Sequence, residues 1–263
     1  MKVLSYNTLA GFGDLDLRDG LLDFVEEVNP DVAFFSEGYL NDTNLSVVEG
    51  SILGLQSRGY DVAHNSDTTL IDRTDRTSFI GIVRRDLGRA SVMSIGSYRG
   101  FIAHVTDPIS GRELKLGGSH MDDRTEEKRL AQVADLPQLD VFMGDLNAMH
   151  GDDTIAKAIR LFGPITRRFA EQDPDFAINT NPVSKMMSMS QRLVRMADGR
   201  VLKALEASHG LKDSDPTHKP TIHGLVQIDH ILHVDTLLPL NHTVHHEVNY
   251  SDHKPVSVNL ESV

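Results

Sequence analysis

The sequence reads as one α/β (α+β) domain whose polar residues collect at strand ends, and three observations lead there. Apolar runs of strand length, Asp31-Val-Ala-Phe-Phe-Ser36 and Val141-Phe-Met-Gly144 among them, alternate with stretches of helical apolar spacing. A Pro/Gly turn, Asp107-Pro-Ile-Ser-Gly111, separates two further runs and marks a hairpin. The last third returns to strands. No repeat, linker or low-complexity tract divides the 263 residues, so residues 1–263 are expected to form a single domain.

Lys2 to Tyr6 is a strand ending at Asn7-Thr8. Asp14 or Asp16 caps a helix carrying Leu17, Leu21, Phe24, Val25 and Val28, and Asn29-Pro30 stops it. The next strand ends on Glu37. Its strand–helix–strand order makes the first and third elements sheet neighbours, which brings Asn7 and Glu37 to one edge. A helix follows over 44–56, then strands over 60–64 and 79–83 around a polar loop, 65–78, expected to be exposed. The hairpin pairs Phe101–Thr106 with Glu113–His120. Asp122 or Asp123 opens the next helix, with Glu126 in capping-box position and Leu130, Val133 and Ala134 inward. After the Asp145 strand come a helix over 152–161, a stretch without legible period over 163–188, and a helix over 189–207 burying Leu193, Met196, Leu202 and Leu205. Strands over 226–233, 243–248 and 255–260 complete the chain.

Composition narrows the class. The absence of cysteine excludes disulfides and thiolate metal sites and is compatible with a reducing cytoplasm, the expected location. No apolar run approaches the ~20 residues of a membrane span, and the first strand starts right after Met1, which leaves no room for a signal peptide. A net charge of −12 argues against a whole surface built for nucleic acid. Yet residues 157–203 hold nine Lys/Arg against four acids, a basic helix-and-loop segment in an acidic chain. It reads either as solvated helix faces or as a substrate-facing surface. A monomer is expected.

Polar residues recur behind buried runs: Asn7, Glu37, His120, Asp145, Asn147, Asp229, Asp252 and His253. Singly, each reads as readily as a turn residue or a satisfied histidine. In Gly144-Asp-Leu-Asn147, the strand period of two puts Asp145 and Asn147 on one side and Leu146 inward. A carboxylate and an amide so placed suit a hard cation and a phosphate oxygen, and Gly144 would let phosphate approach the strand end. His230, His233, His242, His245 and His246 show no ligand spacing typical of zinc.

Tyr6-Asn7-Thr8, Phe35-Ser-Glu37, Ser119-His120-Met-Asp, Gly144-Asp-Leu-Asn147, Gln227-Ile-Asp-His230 and Ser251-Asp-His253 together resemble, in order, the signatures of the endonuclease/exonuclease/phosphatase superfamily of metal-dependent phosphoesterases. The resemblance spans residues 5 to 256. Two positions depart from it: Ser36 stands where the family usually has Gln, and Gln227 where it often has Arg. The resemblance implies a four-layer αββα sandwich, two packed, mainly antiparallel sheets flanked by helices, with the polar strand ends at one rim.

It also implies roles. Glu37 would be the main ligand of Mg²⁺, with Mn²⁺ a substitute, and Asn7 would orient Glu37 and a metal-bound phosphate oxygen. Asp145 would align or deprotonate the attacking water beside the metal, and Asn147 would hold a non-bridging oxygen. Asp229 would fix the tautomer of His253, which acts on the water or stabilises charge on phosphorus. His120 would donate to the phosphate, and Asp252 would sit beside the metal. Such a site hydrolyses phosphate esters by in-line attack. Arg167, Arg168, Arg192 and Arg195, interleaved with phenylalanines, could meet a single-stranded nucleic acid. The substrate stays open between nucleic acid and a small phosphorylated molecule such as an inositol phosphate, a nucleotide or a lipid head group. An inactive phosphate-binding relative would have lost one of Glu37, Asp145, Asp229 or His253, and all four are present.

Overall fold

The computed structural model describes residues 1–39, 45–65, 78–95, 98–122, 125–151, 156–157, 196–197, 199–222 and 224–263. Its twelve strands are β1 (Lys2–Asn7), β2 (Val32–Ser36), β3 (Tyr60–His64), β4 (Phe79–Arg84), β5 (Gly88–Ile95), β6 (Tyr98–Thr106), β7 (Glu113–Gly118), β8 (Val141–Asp145), β9 (Lys212–Asp213), β10 (Asp229–His233), β11 (Leu237–Val244) and β12 (Val256–Ser262). The α-helices that lie whole among the described residues are α1 (Leu15–Val28), α2 (Leu45–Ser57), α3 (Glu126–Ala134) and α4 (Arg200–His209). The strands form two six-stranded sheets, ordered β11-β12-β1-β2-β4-β3 and β5-β6-β7-β8-β10-β9.

Side-chain alternation explains the layers. Val3, Val32 and Phe34 of the first sheet meet Phe101, Leu116, Val141 and Met143 of the second in one core between the sheets. Their neighbours in sequence, Leu4, Ala33 and Phe35, point the other way and pack with Leu21, Val25, Ile52 and Leu55 of α1 and α2. On the far side, Phe142 and Leu232 pack with Val133, Leu202 and Leu205 of α3 and α4. Strands buried on both faces have to be apolar at successive positions, which is why they read as continuous apolar runs rather than alternating ones. The four layers follow.

Each sheet contains one parallel pair, β1–β2 and β7–β8, and its other pairs are antiparallel. In each parallel pair the intervening helix, α1 or α3, carries the chain back, so both strands exit at the same end. Asn7 lies opposite Ser36 in the ladder, one residue before Glu37. β12 runs antiparallel to β1, and β10 antiparallel to β8, so these two strands begin where the others end. That rim collects the polar residues.

Several boundaries differ from the sequence reading. β5 is an additional edge strand; of Gly88–Ile95 only Met93 and Ile95 are buried, which leaves too short an apolar pattern to mark a strand. The strand expected over 243–248 is β11, shifted back to Leu237–Val244, because an edge position tolerates Pro239. Thr125, not Asp122 or Asp123, caps α3 by accepting from the Lys128 N–H, while Asp122 accepts from the Thr125 N–H. Ala134 is exposed, and α3 instead buries Arg129 through its pair with Glu126. α4 starts at Arg200 behind Gly199 in left-handed conformation (φ 74°); residues 189–195 of the expected helix lie outside the described residues. So do 66–77 of the expected exposed loop, but its ends, Asn65 and Ser78, are buried and hydrogen-bonded to Tyr39. Of the helix expected over 152–161, residues 156 and 157 are described, and both are helical.

Gly144 has a different use from the one its position suggests. With φ at +144°, an added Cβ would stand 2.0 Å from the Ser119 carbonyl oxygen. The missing side chain admits the Ser119 carbonyl just past β7. Gly144→Ala is therefore expected to cost at least about 2 kcal/mol of stability in urea unfolding, and a loss under about 0.5 kcal/mol would contradict this packing.

Candidate active site

The rim is assembled by ladder hydrogen bonds that run past the strand ends. Ser119 N–H donates to Met143 O and Met121 N–H to Asp145 O, which holds His120 beside the end of β8. Across β8 on the other side, Asp229 is the direct ladder partner of Asp145. Two carboxyl groups thus face each other across an antiparallel pair, an arrangement that needs a positive charge nearby.

That charge comes from His253. Its Nδ1 lies 2.8 Å from Asp229 Oδ2, and its Nε2 lies 3.8 Å from Asp145 Oδ2. Burial alone would lower the imidazole pKa, but the Asp229 carboxylate, its hydrogen bond and the Asp145 carboxylate carry it up to about 10. Burial pushes the Asp229 carboxyl upward, with His253 opposing. Asp145 goes the other way. Burial would raise its pKa, yet His120, His253, the Asn147 N–H and Asn7 hold it below the usual carboxylate range.

Asp145 Oδ2 is the meeting point. Asn7 Nδ2 donates to it at 3.0 Å and to Glu37 Oε1 at 3.0 Å. His120 Nε2 stands 3.5 Å from the same Asp145 oxygen, and His120 Nδ1 3.7 Å from Glu37 Oε1. Ligand-type atoms of Glu37, His120 and Asp145 all lie within 4.8 Å of one another, as do those of Asp145, Asp229 and His253. Asn7 accepts the Leu9 N–H with its Oδ1, so its amide nitrogen faces the site and orients both carboxyl groups.

Glu37 and Asn147 are held at φ 49° and 48°, unusual for residues with side chains. Strand alternation therefore does not set the direction of Asn147: β8 ends at Asp145, and the Asn147 N–H folds back onto Asp145 Oδ1 at 3.0 Å. Its Nδ2 donates to Met121 O at 2.9 Å, and its buried Oδ1 has no partner among the described residues. Leu146 is fully buried, as expected. Asp252 is exposed and belongs to neither three-residue cluster, although it lies near enough to His253 to add to its charge stabilisation. Arg167, Arg168, Arg192 and Arg195 lie outside the described residues.

Two further residues support the site. Thr221 Oγ1, fully buried, accepts the N–H groups of Ile228 and Asp229 at 3.1 and 3.2 Å and so fixes the start of β10. Ser251 Oγ accepts the His253 N–H at 3.1 Å. A lone Thr after a proline is too common to single out, whereas Ser251 opens the Ser251-Asp-His253 block without a role of its own assigned there.

No protein-family model matches the chain, nor does any curated protein sequence. Solved structures do match. The endonuclease/exonuclease/phosphatase from Bacteroides vulgatus is 13% identical with a TM-score of 0.63, covering 100% of this chain and 98% of that one. An AP endonuclease from Archaeoglobus fulgidus is 14% identical with a TM-score of 0.63, covering 99% of both chains. D. rerio TDP2 complexed with single-strand DNA product is 15% identical with a TM-score of 0.56, covering 100% and 99%. At these identities the likeness is one of fold.

The His253–Asp229 pair has a stability signature. A histidine raised from 6.5 to about 10 on folding stabilises fully below pH 6.5, and that contribution is lost as the pH climbs to about 10. Chemical unfolding across this window is expected to show a steeper alkaline decline for the wild type than for Asp229→Asn. Coinciding slopes would mean that the pair is not formed.

Proposed function

From the premise that the chain bears the fold of the endonuclease/exonuclease/phosphatase proteins, we propose that it is a divalent-metal-dependent hydrolase of phosphate esters. The observation that carries this reading is the convergence of Asn7, His120 and His253, from both sheets, on one oxygen of Asp145 beside Glu37. The oxygen donors fit Mg²⁺ or Mn²⁺: two carboxyl groups lie within 4.8 Å of each other, and the buried ring nitrogens of His120 beside them lack hydrogen-bond partners among the described residues, which leaves them to a substrate oxygen. Glu37 and Asp145 would hold the ion, with Asn7 orienting both and Asp252 at the margin. When bound, it would polarise a phosphoryl oxygen and neutralise developing charge.

The chain's own groups divide the remaining work. Asp145, kept ionised by its neighbours, aligns the attacking water and accepts its proton at Oδ2. His253, with Nδ1 committed to Asp229, presents a protonated Nε2 to the charge that builds on the phosphoryl group. This assigns His253 to electrostatic stabilisation and the base role to Asp145. His120 donates to a phosphate oxygen, and the second Nδ2 hydrogen of Asn147 serves another.

A nuclease or phosphodiesterase is the favoured subclass. Its support is the basic segment 157–203, whose position in the sequence falls between the Asp145 and Asp229 blocks, together with neighbours named as an AP endonuclease and as TDP2 with a single-strand DNA product. A small phosphorylated substrate is the alternative.

Phosphoesterase turnover is expected to require Mg²⁺ or Mn²⁺, and Glu37→Gln and His253→Ala should each lower kcat/KM by about 10²–10⁴-fold. Undiminished turnover in EDTA would sink the metal assignment. In a panel of single-stranded DNA, duplex DNA, RNA, nucleotides, inositol phosphates and sphingomyelin, Arg167→Glu with Arg168→Glu should weaken nucleic-acid hydrolysis and flatten its salt dependence. Equal loss on every substrate would remove the case for a basic track.

A further inference from the structure

A second gathering of metal-binding side chains lies beside β9 and α4. Ligand-type atoms of His150, Asp213 and His218 all stand within 4.8 Å of one another. The centroids of the two imidazole rings lie 4.1 Å apart, with the ring planes tilted by 32°. We propose that His150, Asp213 and His218 form a second cation site, separate from the Glu37–Asp145 centre and selective for a transition-metal ion such as Zn²⁺ over Mg²⁺.

The donor chemistry sets the selectivity. Two imidazoles and one carboxylate suit zinc, whereas Mg²⁺ demands oxygen ligands. A tetrahedral ion with bonds of about 2.0–2.2 Å holds its donors about 3.3–3.6 Å apart, so closing the cluster takes side-chain movements of about 1 Å.

Asp213 and His218 are held in place by their surroundings. Asp213 belongs to β9, paired with Leu232 of β10, and its Oδ2 lies 2.7 Å from His230 Nδ1. That is the outer hydrogen bond that orients a metal-bound carboxylate. His218 sits in a turn cinched by Asp215, which accepts the Thr217 and Lys219 N–H groups at 2.8 Å each. The turn keeps His218 at φ 52°, and its buried Nδ1 lacks a hydrogen-bond partner among the described residues.

A cavity of about 380 Å³, lined by the three ligands with Lys203, Glu206 and Asp215 among others, leaves room for a solvent ligand. The spacing 150–213–218 forms no local motif. Of the histidines whose spacing in the sequence does not suit zinc, His230 and His242 face the carboxylates of Asp213 and Asp215.

The site would tie the segment leaving the catalytic strand to the loop after β9. His150 follows Asn147 by three residues, and His230 Nε2 already grips Ala148 O at 2.8 Å.

Equilibrium dialysis against Zn²⁺ in saturating Mg²⁺, with bound metal counted by mass spectrometry, tests the proposal without reference to turnover. Wild type and Glu37→Gln are each expected to retain a zinc ion. His150→Ala with His218→Ala should weaken that binding by more than about tenfold, since changes around metal ligands alone cost about 10–100-fold. Zinc binding unchanged in the double variant, or no Mg²⁺-resistant zinc in the wild type, overturns the site. A loss of zinc in Glu37→Gln would assign the ion to the active-site rim and overturn it equally. Should the double variant not fold, diethylpyrocarbonate labelling of the wild type decides: zinc protecting His150 and His218 supports the site, and unchanged labelling refutes it.

Discussion

The structure turns on one buried carboxylate. Asp145 sits 2% exposed at the end of β8, where desolvation alone would neutralise it. It stays ionised because Asn7 of the first sheet, His120 from the end of β7, His253 before β12 and the Asn147 N–H all address it. Two of those groups belong to one sheet and two to the other. Keeping that charge therefore constrains how the sheets meet at the rim, just as the Phe34–Phe101 core constrains how they meet inside.

The topology provides the means. A parallel pair in each sheet delivers two chain exits to one edge, and antiparallel strands on each side deliver two chain entries there. Asn7, Glu37, His120 and Asp145 come from exits; Asp229 and His253 come from entries. A sheet that was wholly antiparallel between neighbours would send half of the exits to the opposite rim.

Beneath the rim lies a second buried charge. His230 has a carboxylate at Nδ1 and the Ala148 carbonyl at Nε2, so both ring nitrogens carry hydrogen and the ring is a cation. Burial opposes that charge, and Asp213 raises the pKa despite it. His230 and Asp229 are adjacent on β10 and face opposite sides. One strand thus supports the Asp145 rim with one residue and the His150–Asp213–His218 cluster with the next.

By itself the sequence determined most strands, because doubly buried strands have to be apolar throughout and α1 has to keep its apolar stripe; the layer count came with the family resemblance of its motifs. It also determined which side chains form the rim, since Asn7, Glu37, His120, Asp145, Asp229 and His253 each end or begin such a run. Of the edge strands, β3 was legible, but β5 escaped it and β11 was misplaced: these two bury little, and weak burial leaves weak periodicity. Only the tertiary structure decided what depends on through-space distance. It turned Asn147 by a local Asx turn instead of by strand alternation and gave Gly144 to the Ser119 carbonyl. It left Asp252 at the surface, and it brought His150 and His218 together from 68 positions apart. Local spacing carries no record of such meetings, because a ligand set or a tight approach is defined by where the sheets place the chain.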